Sequence, residues 1–234
     1  RSLQQGGAAV DKAAAELVDK AKALAATSLE ASEADIVLDT DQGAFHVAGT
    51  PSVTKTWGEL AVLARDEGDP LLIDTRFEAA SPTFPFGAHV AVAEVDTETG
   101  RVRLVRHVAC DDAGVVLNPL LLDGQRHGGV AQGAAQALLE EVRYDEDGNP
   151  ITSNLADYAM ISATELPSFE LVGMETRTPV NPLGAKGIGE SGTIGSTPAI
   201  QSAVIDAVSH LGVRHIDMPT TPERVWAAIQ SARG

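Results

Sequence analysis

Apolar and polar residues alternate most regularly over residues 87–96 and again over residues 101–111. The sequence Thr-Glu-Thr-Gly, residues 97–100, separates the two stretches. Such alternation is typical of half-buried strands, and a short turn between two of them predicts a β-hairpin. Shorter stretches predict strands in three further places: residues 36–39, 43–47 and 50–56.

Helical spacing of apolar residues is found in several other stretches. Residues 8–26 are rich in alanine, and the stripe expected to be buried consists of Val10, Ala14, Leu17 and Leu24. A second helix is expected to begin after Thr56, because Glu59 follows three residues later and completes a capping box. Residues 120–139 mix small residues with leucine and valine, which lets another backbone or a cofactor approach such a helix closely.

The last predicted helix starts near Thr197, where a Ser/Thr cap precedes Pro198 at the first helical position. Residues 67–85 are irregular and proline-rich, with one strand-like stretch at residues 71–77. Strands and helices in this order predict an α+β fold of mixed sheets with packed helices. The 234 residues suffice for one large region or for two subdomains, of about residues 1–85 and 86–234.

The composition excludes several classes of function. Acidic residues outnumber basic ones 33 to 17, so nucleic acid is not an expected partner, because phosphate binding needs clustered positive charge. No apolar run approaches the ~20 residues of a membrane span. One cysteine, Cys110, permits no internal disulfide and no cysteine-based iron–sulfur or zinc site within the chain. No metal site is predicted at His89 and His107, because they lack companion ligands. A cytoplasmic protein is expected.

The most unusual segment covers residues 184–195, where five glycines fall within twelve residues together with Lys186 and Glu190. Glycine at this density indicates backbone with unusual dihedral angles or close approach to a ligand. The first interpretation is a plain connector whose carboxylate is solvated. The second is a dinucleotide fingerprint at residues 187–192, which would need a preceding strand and a complete βαβ unit that this sequence lacks. The third is a cofactor-binding loop in which Glu190 is a catalytic base.

Further motifs accompany this segment in a fixed order. They are Thr-Pro-Ser-Val-Thr-Lys-Thr-Trp (residues 50–57), Asn-Pro-Leu-Leu-Leu-Asp-Gly-Gln (residues 118–125), His-Gly-Gly-Val-Ala-Gln-Gly (residues 127–133) and the ending at residues 217–226. Together with Lys-Gly-Ile-Gly-Glu at residues 186–190, the set resembles the molybdenum hydroxylases: xanthine dehydrogenase, aldehyde oxidase and aerobic carbon monoxide dehydrogenase. The resemblance covers nearly the whole chain and implies the C-terminal, molybdopterin-binding region of the large subunit.

The resemblance implies roles for particular residues. Glu190 matches the family's catalytic base, and Gln125 matches a residue that contacts the molybdopterin. Other residues are expected to bind the cofactor: Lys186, Gly187, Ile188, Gly189, Arg1, Ser2 and Gln4. An alternative without a function is open for Lys186, which would then be a solvated lysine of the loop. The serine segment at the chain start has a similar alternative, an ordinary helix start.

The implied activity is oxidation with water as the oxygen source. The substrate would be an electron-poor carbon of an aldehyde, N-heterocycle or purine, or carbon monoxide. The implied cofactor is molybdopterin with molybdenum, in the cytosine dinucleotide form that bacterial members generally carry. Iron–sulfur [2Fe–2S] and FAD subunits, and the N-terminal portion of the large subunit, are the expected partners of this multi-subunit enzyme. Because the chain starts at Arg1 and not at methionine, we expect a fragment or split subunit. The alternative is a non-catalytic remnant that acts as a protein-interaction module.

Overall fold

The structure is a computed structural model that describes residues 2–234, so Arg1 and its expected cofactor contact lie outside the described residues. The chain divides into two units. The first consists of residues 2–81 with Val180–Leu183, and the second of Pro82–Pro179 with Gly184–Gly234. The expected subdomain boundary near residue 85 stays a prediction. Among the described residues, no helix is both long and apolar enough to cross a membrane.

The first unit packs two helices on a three-stranded antiparallel sheet. A π-helix, Ser2–Gly7, leads into α1, Ala8–Ser28. The sheet has the order β1-β2-β3, and its strands are Ile36–Asp39, Ala44–Val47 and Thr50–Thr56. Helix α2 follows directly at Trp57–Asp66, with the predicted capping box between Thr56 and Glu59. A cap of this kind stabilises a helix by about 1 kcal/mol.

The stripe predicted for α1 is wrong in its N-terminal half, whereas Leu17 is half-buried and Leu24 packs against the core. Val10 is 69% exposed, and Ala14 is exposed as well. The buried residues of α1 that join the core are instead small: Ala21, Ala25 and Ala26. They pack with Ile36, Phe45 and Leu60, because alanines let the helix lie close to the sheet and leave the larger side chains at its margins. The strand-like stretch at residues 71–77 forms no strand.

The second unit contains the predicted hairpin, formed by β4, Phe86–Val95, and β5, Val102–Asp112. A strand that the sequence did not indicate, β6 at Phe169–Met174, pairs with β5 in parallel. Helices α3, Pro119–Leu138, and α4, Ser191–Ser209, pack on each other, and α4 also packs on β4. Helix α5 covers Pro222–Arg233. The core includes Leu104, Leu138, Ile200, Val204, Val208, Val225 and Ile229.

Helix α4 begins earlier than predicted. It starts at Ser191, so Pro198 lies inside the helix and not at its first position. The reason is its contact with α3: a Cβ placed on Gly192 would lie 2.9 Å from the backbone nitrogen of Val130. Gly192 therefore serves helix packing and not loop flexibility. Among the glycines of residues 184–195, Gly184 is the one with positive φ, at 69°. The α+β class of the fold is confirmed.

Candidate functional site

Glu190 is exposed and stands at the N-cap of α4. Its carbonyl accepts the N–H of Ile194 at 3.0 Å, which is the first turn of the helix. A second backbone hydrogen bond spans Glu190: the N–H of Ser191 donates to the carbonyl of Ile188 at 3.2 Å. The backbone of Glu190 is thus held from both sides, while its carboxylate is accessible to a ligand.

Gln125 lies beside the same loop although it is distant in sequence. It is exposed on α3, and its Oε1 would be 3.8 Å from a Cβ placed on Gly189. The structure therefore brings three of the predicted site residues together, namely Gln125, Gly189 and Glu190. Gly187 and Ile188 are half-buried in the segment that leads to them. An amide side chain next to glycine backbone offers hydrogen-bond donors and acceptors within one small area.

Lys186 has a different environment, because it is 6% exposed. Its Nζ lies 3.2 Å from Asp112 Oδ1 and 4.6 Å from the centre of the Phe86 ring. The solvated lysine considered for this position is therefore wrong. Burial would raise the pKa of Asp112, but hydrogen bonds from Thr176 and Gly114 and the ion pair with Lys186 outweigh it and lower that pKa to about 2. A role of Lys186 near a cofactor stays a prediction.

Asp111, the neighbouring residue on β5, is the centre of a second buried cluster. Its side chain is fully buried and accepts hydrogen bonds from Ser191 Oγ at 2.9 Å and from Arg126 Nε at 3.0 Å. His89 Nε2 is 3.2 Å from the same carboxylate. Burial alone would raise the pKa of Asp111, yet the hydrogen bonds from His89, Arg126 and Ser191 lower it to about 2. The carboxylate is therefore anionic at neutral pH.

Arg126 extends this cluster across the sheet. Its Nη2 donates to the carbonyls of Ala109 at 2.9 Å and Val172 at 2.6 Å, which belong to adjacent strands. The arginine side chain is only 4% exposed, and the buried carboxylate of Asp111 is its main counter-charge, because the second partner, Asp123, is exposed and lies 3.7 Å away. An unpaired charge at such a depth would be strongly unfavourable.

Two histidines continue the cluster on the other side of Asp111. His107 Nε2 is 3.2 Å from His89 Nδ1. Burial, and then the neighbouring His89, lower the pKa of His107 to about 4, so His107 is neutral at neutral pH. Because Asp111 is anionic, His89 donates from Nε2 and can accept from His107 at Nδ1. Within residues 2–234 no group of histidine, cysteine and carboxylate side chains is arranged to hold a metal ion.

The sequence analysis did not identify this cluster. Two acids at the end of a strand, Asp111 and Asp112, look like ordinary turn residues, and Arg126 looks like a surface residue of α3. One signal was present: side chains on a strand alternate between faces, so two successive acids cannot both face the solvent side of a sheet. Ser2 and Gln4 lie in the π-helix before α1, the first exposed and the second half-buried, and their cofactor contacts stay predictions.

The chain is similar to several proteins of known function. Residues 1–167 match the family model of the molybdopterin cofactor-binding domain. The carbon monoxide dehydrogenase large chain of Hydrogenophaga pseudoflava is 37% identical over 98% of this chain and 29% of that relative. The nicotine 6-hydroxylase large subunit of Paenarthrobacter nicotinovorans is 34% identical over 97% of this chain and 29% of that protein.

Solved structures agree with these sequence relatives. A Cu,Mo-carbon monoxide dehydrogenase superposes with a TM-score of 0.87 and 35% identity, over 99% of this chain and 30% of that one. Quinoline 2-oxidoreductase from Pseudomonas putida 86 gives a TM-score of 0.80 with 35% identity, over 94% of this chain and 29% of that one. The chain thus spans roughly a third or less of the length of these relatives.

Proposed function

Since this chain belongs to the molybdenum hydroxylases, as the C-terminal part of their large, molybdopterin-binding subunit, we propose that it supplies the catalytic base of such an enzyme. The reaction would oxidise an electron-poor carbon of a small molecule, or carbon monoxide, with water as the source of oxygen. The observation that carries the proposal is the placing of Glu190 and Gln125 at one exposed corner, where α4 begins beside α3.

The residues at this corner fit an edge of a pterin. A pterin ring presents donors and acceptors alternately, and the amide of Gln125 can both donate and accept. Gly187 and Gly189 have no side chains of their own, so their main-chain groups are not covered by one. We propose that these residues hold molybdopterin in its cytosine dinucleotide form. The cofactor, when bound, supplies the molybdenum and the two-electron redox chemistry, and the protein supplies its position and electrostatics.

Glu190 would move the proton in this reaction. A carboxylate that lies within hydrogen-bond reach of a water molecule can accept its proton at one Oε and so make it a better nucleophile. The exposure of Glu190 leaves that oxygen accessible, and the fixed backbone on both sides limits where it can point. Gln125 would orient the cofactor or substrate next to it without exchanging a proton.

The chain supplies only part of the site, and its surface is consistent with coverage by other polypeptides. Large apolar side chains at the start of α3 and at or just before the start of β4 are strongly exposed: Leu120 at 82%, Phe84 at 68%, Leu121 at 66% and Phe86 at 64%. Exposed apolar groups of this kind mark interaction surfaces. We propose that the N-terminal portion of the large subunit covers them, and that iron–sulfur and FAD subunits complete the electron path in the cytoplasm.

Metal analysis of the purified, assembled protein tests this proposal against a non-catalytic remnant. We expect stoichiometric molybdenum that copurifies with the polypeptide, and bleaching of the cofactor absorbance by a substrate. A folded and fully assembled preparation without molybdenum would contradict the proposal. Isolation of this chain alone with bound cofactor and full activity would contradict its dependence on partners.

A further inference from the structure

Asp111 contacts the residues that directly follow the two proposed site residues. Ser191, which follows Glu190, donates to Oδ1 at 2.9 Å, and Arg126, which follows Gln125, donates to Oδ2 at 3.0 Å. The two donors come from different helices, α4 and α3. One carboxylate on β5 therefore connects the backbone next to the proposed base with the backbone next to the proposed cofactor ligand.

We propose that Asp111 is a positioning residue, which sets the distance between Glu190 and Gln125 through Ser191 and Arg126. This inference rests on the proposed function of Glu190 and adds to it the group that holds the base in place. Asp111 itself is fully buried and lies behind the site, so it would touch neither the substrate nor the cofactor.

The strength of these contacts supports a positioning role. Hydrogen bonds with one charged partner are about twice as strong as neutral ones, and they are stronger in a buried environment. The carboxylate of Asp111 and the side chain of Arg126 are both almost completely buried. The first residue of α4 is therefore attached to a rigid group and not to a mobile surface side chain.

A second contact supports the same interpretation independently. His89, which also binds Asp111, packs against the backbone of α4 one turn beyond Ser191, since a Cβ on Gly195 would lie 2.6 Å from His89 Nε2. Helix α4 is thus held at Ser191 by a hydrogen bond and at Gly195 by close packing on the same cluster. Two attachment points fix both the position and the direction of the helix start.

Ser191→Ala in the molybdenum-loaded enzyme that contains this chain is the direct test. It removes one hydroxyl and leaves the pair of Asp111 and Arg126 intact. The matched control is Thr193→Ala, because Thr193 Oγ1 also makes a hydrogen bond between the helices, to the carbonyl of Gly129 at 3.0 Å, but does not contact Asp111. Each variant is made in the wild type and in the Glu190→Gln background.

Single-turnover reduction by substrate is measured for all of these proteins. Displacement of a catalytic group by about 1 Å can cost on the order of 100-fold, so we expect Ser191→Ala to slow reduction by about 10-fold or more. In the Glu190→Gln background the same change should have almost no further effect, because the group that it positions no longer acts. Thr193→Ala should have little effect in either background. Equal losses from Ser191→Ala in both backgrounds would overturn the proposal.

A second readout does not depend on turnover. Amide hydrogen exchange over residues 188–194 should become faster in Ser191→Ala than in Thr193→Ala, with or without bound cofactor, and unchanged exchange there would overturn the proposal. The failure of the proposed function has its own signature: if Glu190→Gln alone reduces at the wild-type rate, Glu190 is not the base. Faster exchange in Ser191→Ala would then still report the attachment of the helix start to Asp111.

Discussion

Ser191 donates a hydrogen bond of 2.9 Å to Asp111, a residue 80 positions earlier in the chain. Ser191 is the first residue of α4, and Asp111 is the last but one residue of β5. This contact therefore joins a helix start to a strand end. Glu190 precedes Ser191 directly, so the position of its backbone depends on a buried charge that sequence alone does not connect with it.

Replacement of Glu190 by glutamine should slow the reaction without unfolding the protein. Glu190→Gln keeps the size of the side chain but cannot accept a proton, and general base catalysis contributes about 10²–10⁴-fold. Substrate reduction in a single turnover should fall by that range at unchanged molybdenum content and thermal stability. Glu223→Gln, a change at another exposed glutamate near a helix start, is the control and should be active. A rate within a few-fold of wild type at full molybdenum occupancy would contradict the prediction.

Replacement of Asp111 by asparagine should destabilise the protein strongly. Asp111→Asn leaves the buried charge of Arg126 with only the more distant, exposed carboxylate of Asp123, at 3.7 Å, and removal of one partner from a buried pair costs roughly 3–5 kcal/mol. Denaturant unfolding measures the loss. Asp217→Asn removes a carboxylate that is 89% exposed and pairs with the exposed His215, and it should change stability little. Similar free energies of unfolding for the two variants would show that the buried pair contributes no more to stability than the exposed one, which would contradict the prediction.

The stability of the protein should fall in two steps on acidification. The pKa of His107 is lowered from 6.5 to about 4 in the folded protein, so only the unfolded chain binds that proton between these values. Stability therefore decreases as the pH falls from about 6.5 to 4. The pKa values of Asp111 and Asp112 are lowered from 3.8 to about 2, so their contribution is lost as the pH falls from about 3.8 to 2.

Unfolding free energies measured by denaturant between pH 8 and pH 2 test this dependence. His107→Gln should remove most of the slope between pH 6.5 and 4, because it takes away the buried group that the unfolded chain protonates. His215→Gln, at a histidine whose side chain is 71% exposed, should leave that slope in place. If the slope in this range persists in His107→Gln, the prediction for His107 is wrong.

The contact between α3 and α4 should not tolerate a methyl group. Gly192→Ala would place a Cβ 2.9 Å from the backbone nitrogen of Val130 and 3.0 Å from the carbonyl oxygen of Arg126, so a helix must move. We expect lower thermal stability and slower substrate reduction, because α4 carries Glu190 at its start. Gly128→Ala on the same α3 meets nothing within 4 Å and should stabilise the helix by about 0.5–1 kcal/mol. Equal behaviour of the two variants would contradict the close packing.

The sequence by itself determined the family and those local elements whose signals lie close together in the chain. The hairpin of β4 and β5 follows from alternation, and the start of α2 follows from the capping box of Thr56 and Glu59, because both signals depend only on residues close together in the chain. The ordered motifs identified the molybdenum hydroxylases, and the comparisons confirm that membership. The individual roles of Glu190 and Gln125 stay predictions.

Only the tertiary structure decided where α4 begins and what holds its first turn. A local analysis starts the helix at Pro198, since proline favours a first helical position. The helix begins at Ser191 instead, because Gly192 permits contact with α3 and Asp111 binds the serine hydroxyl. Both interactions join residues more than sixty positions apart, and burial gives them their strength. No pattern of neighbouring residues can therefore reveal them.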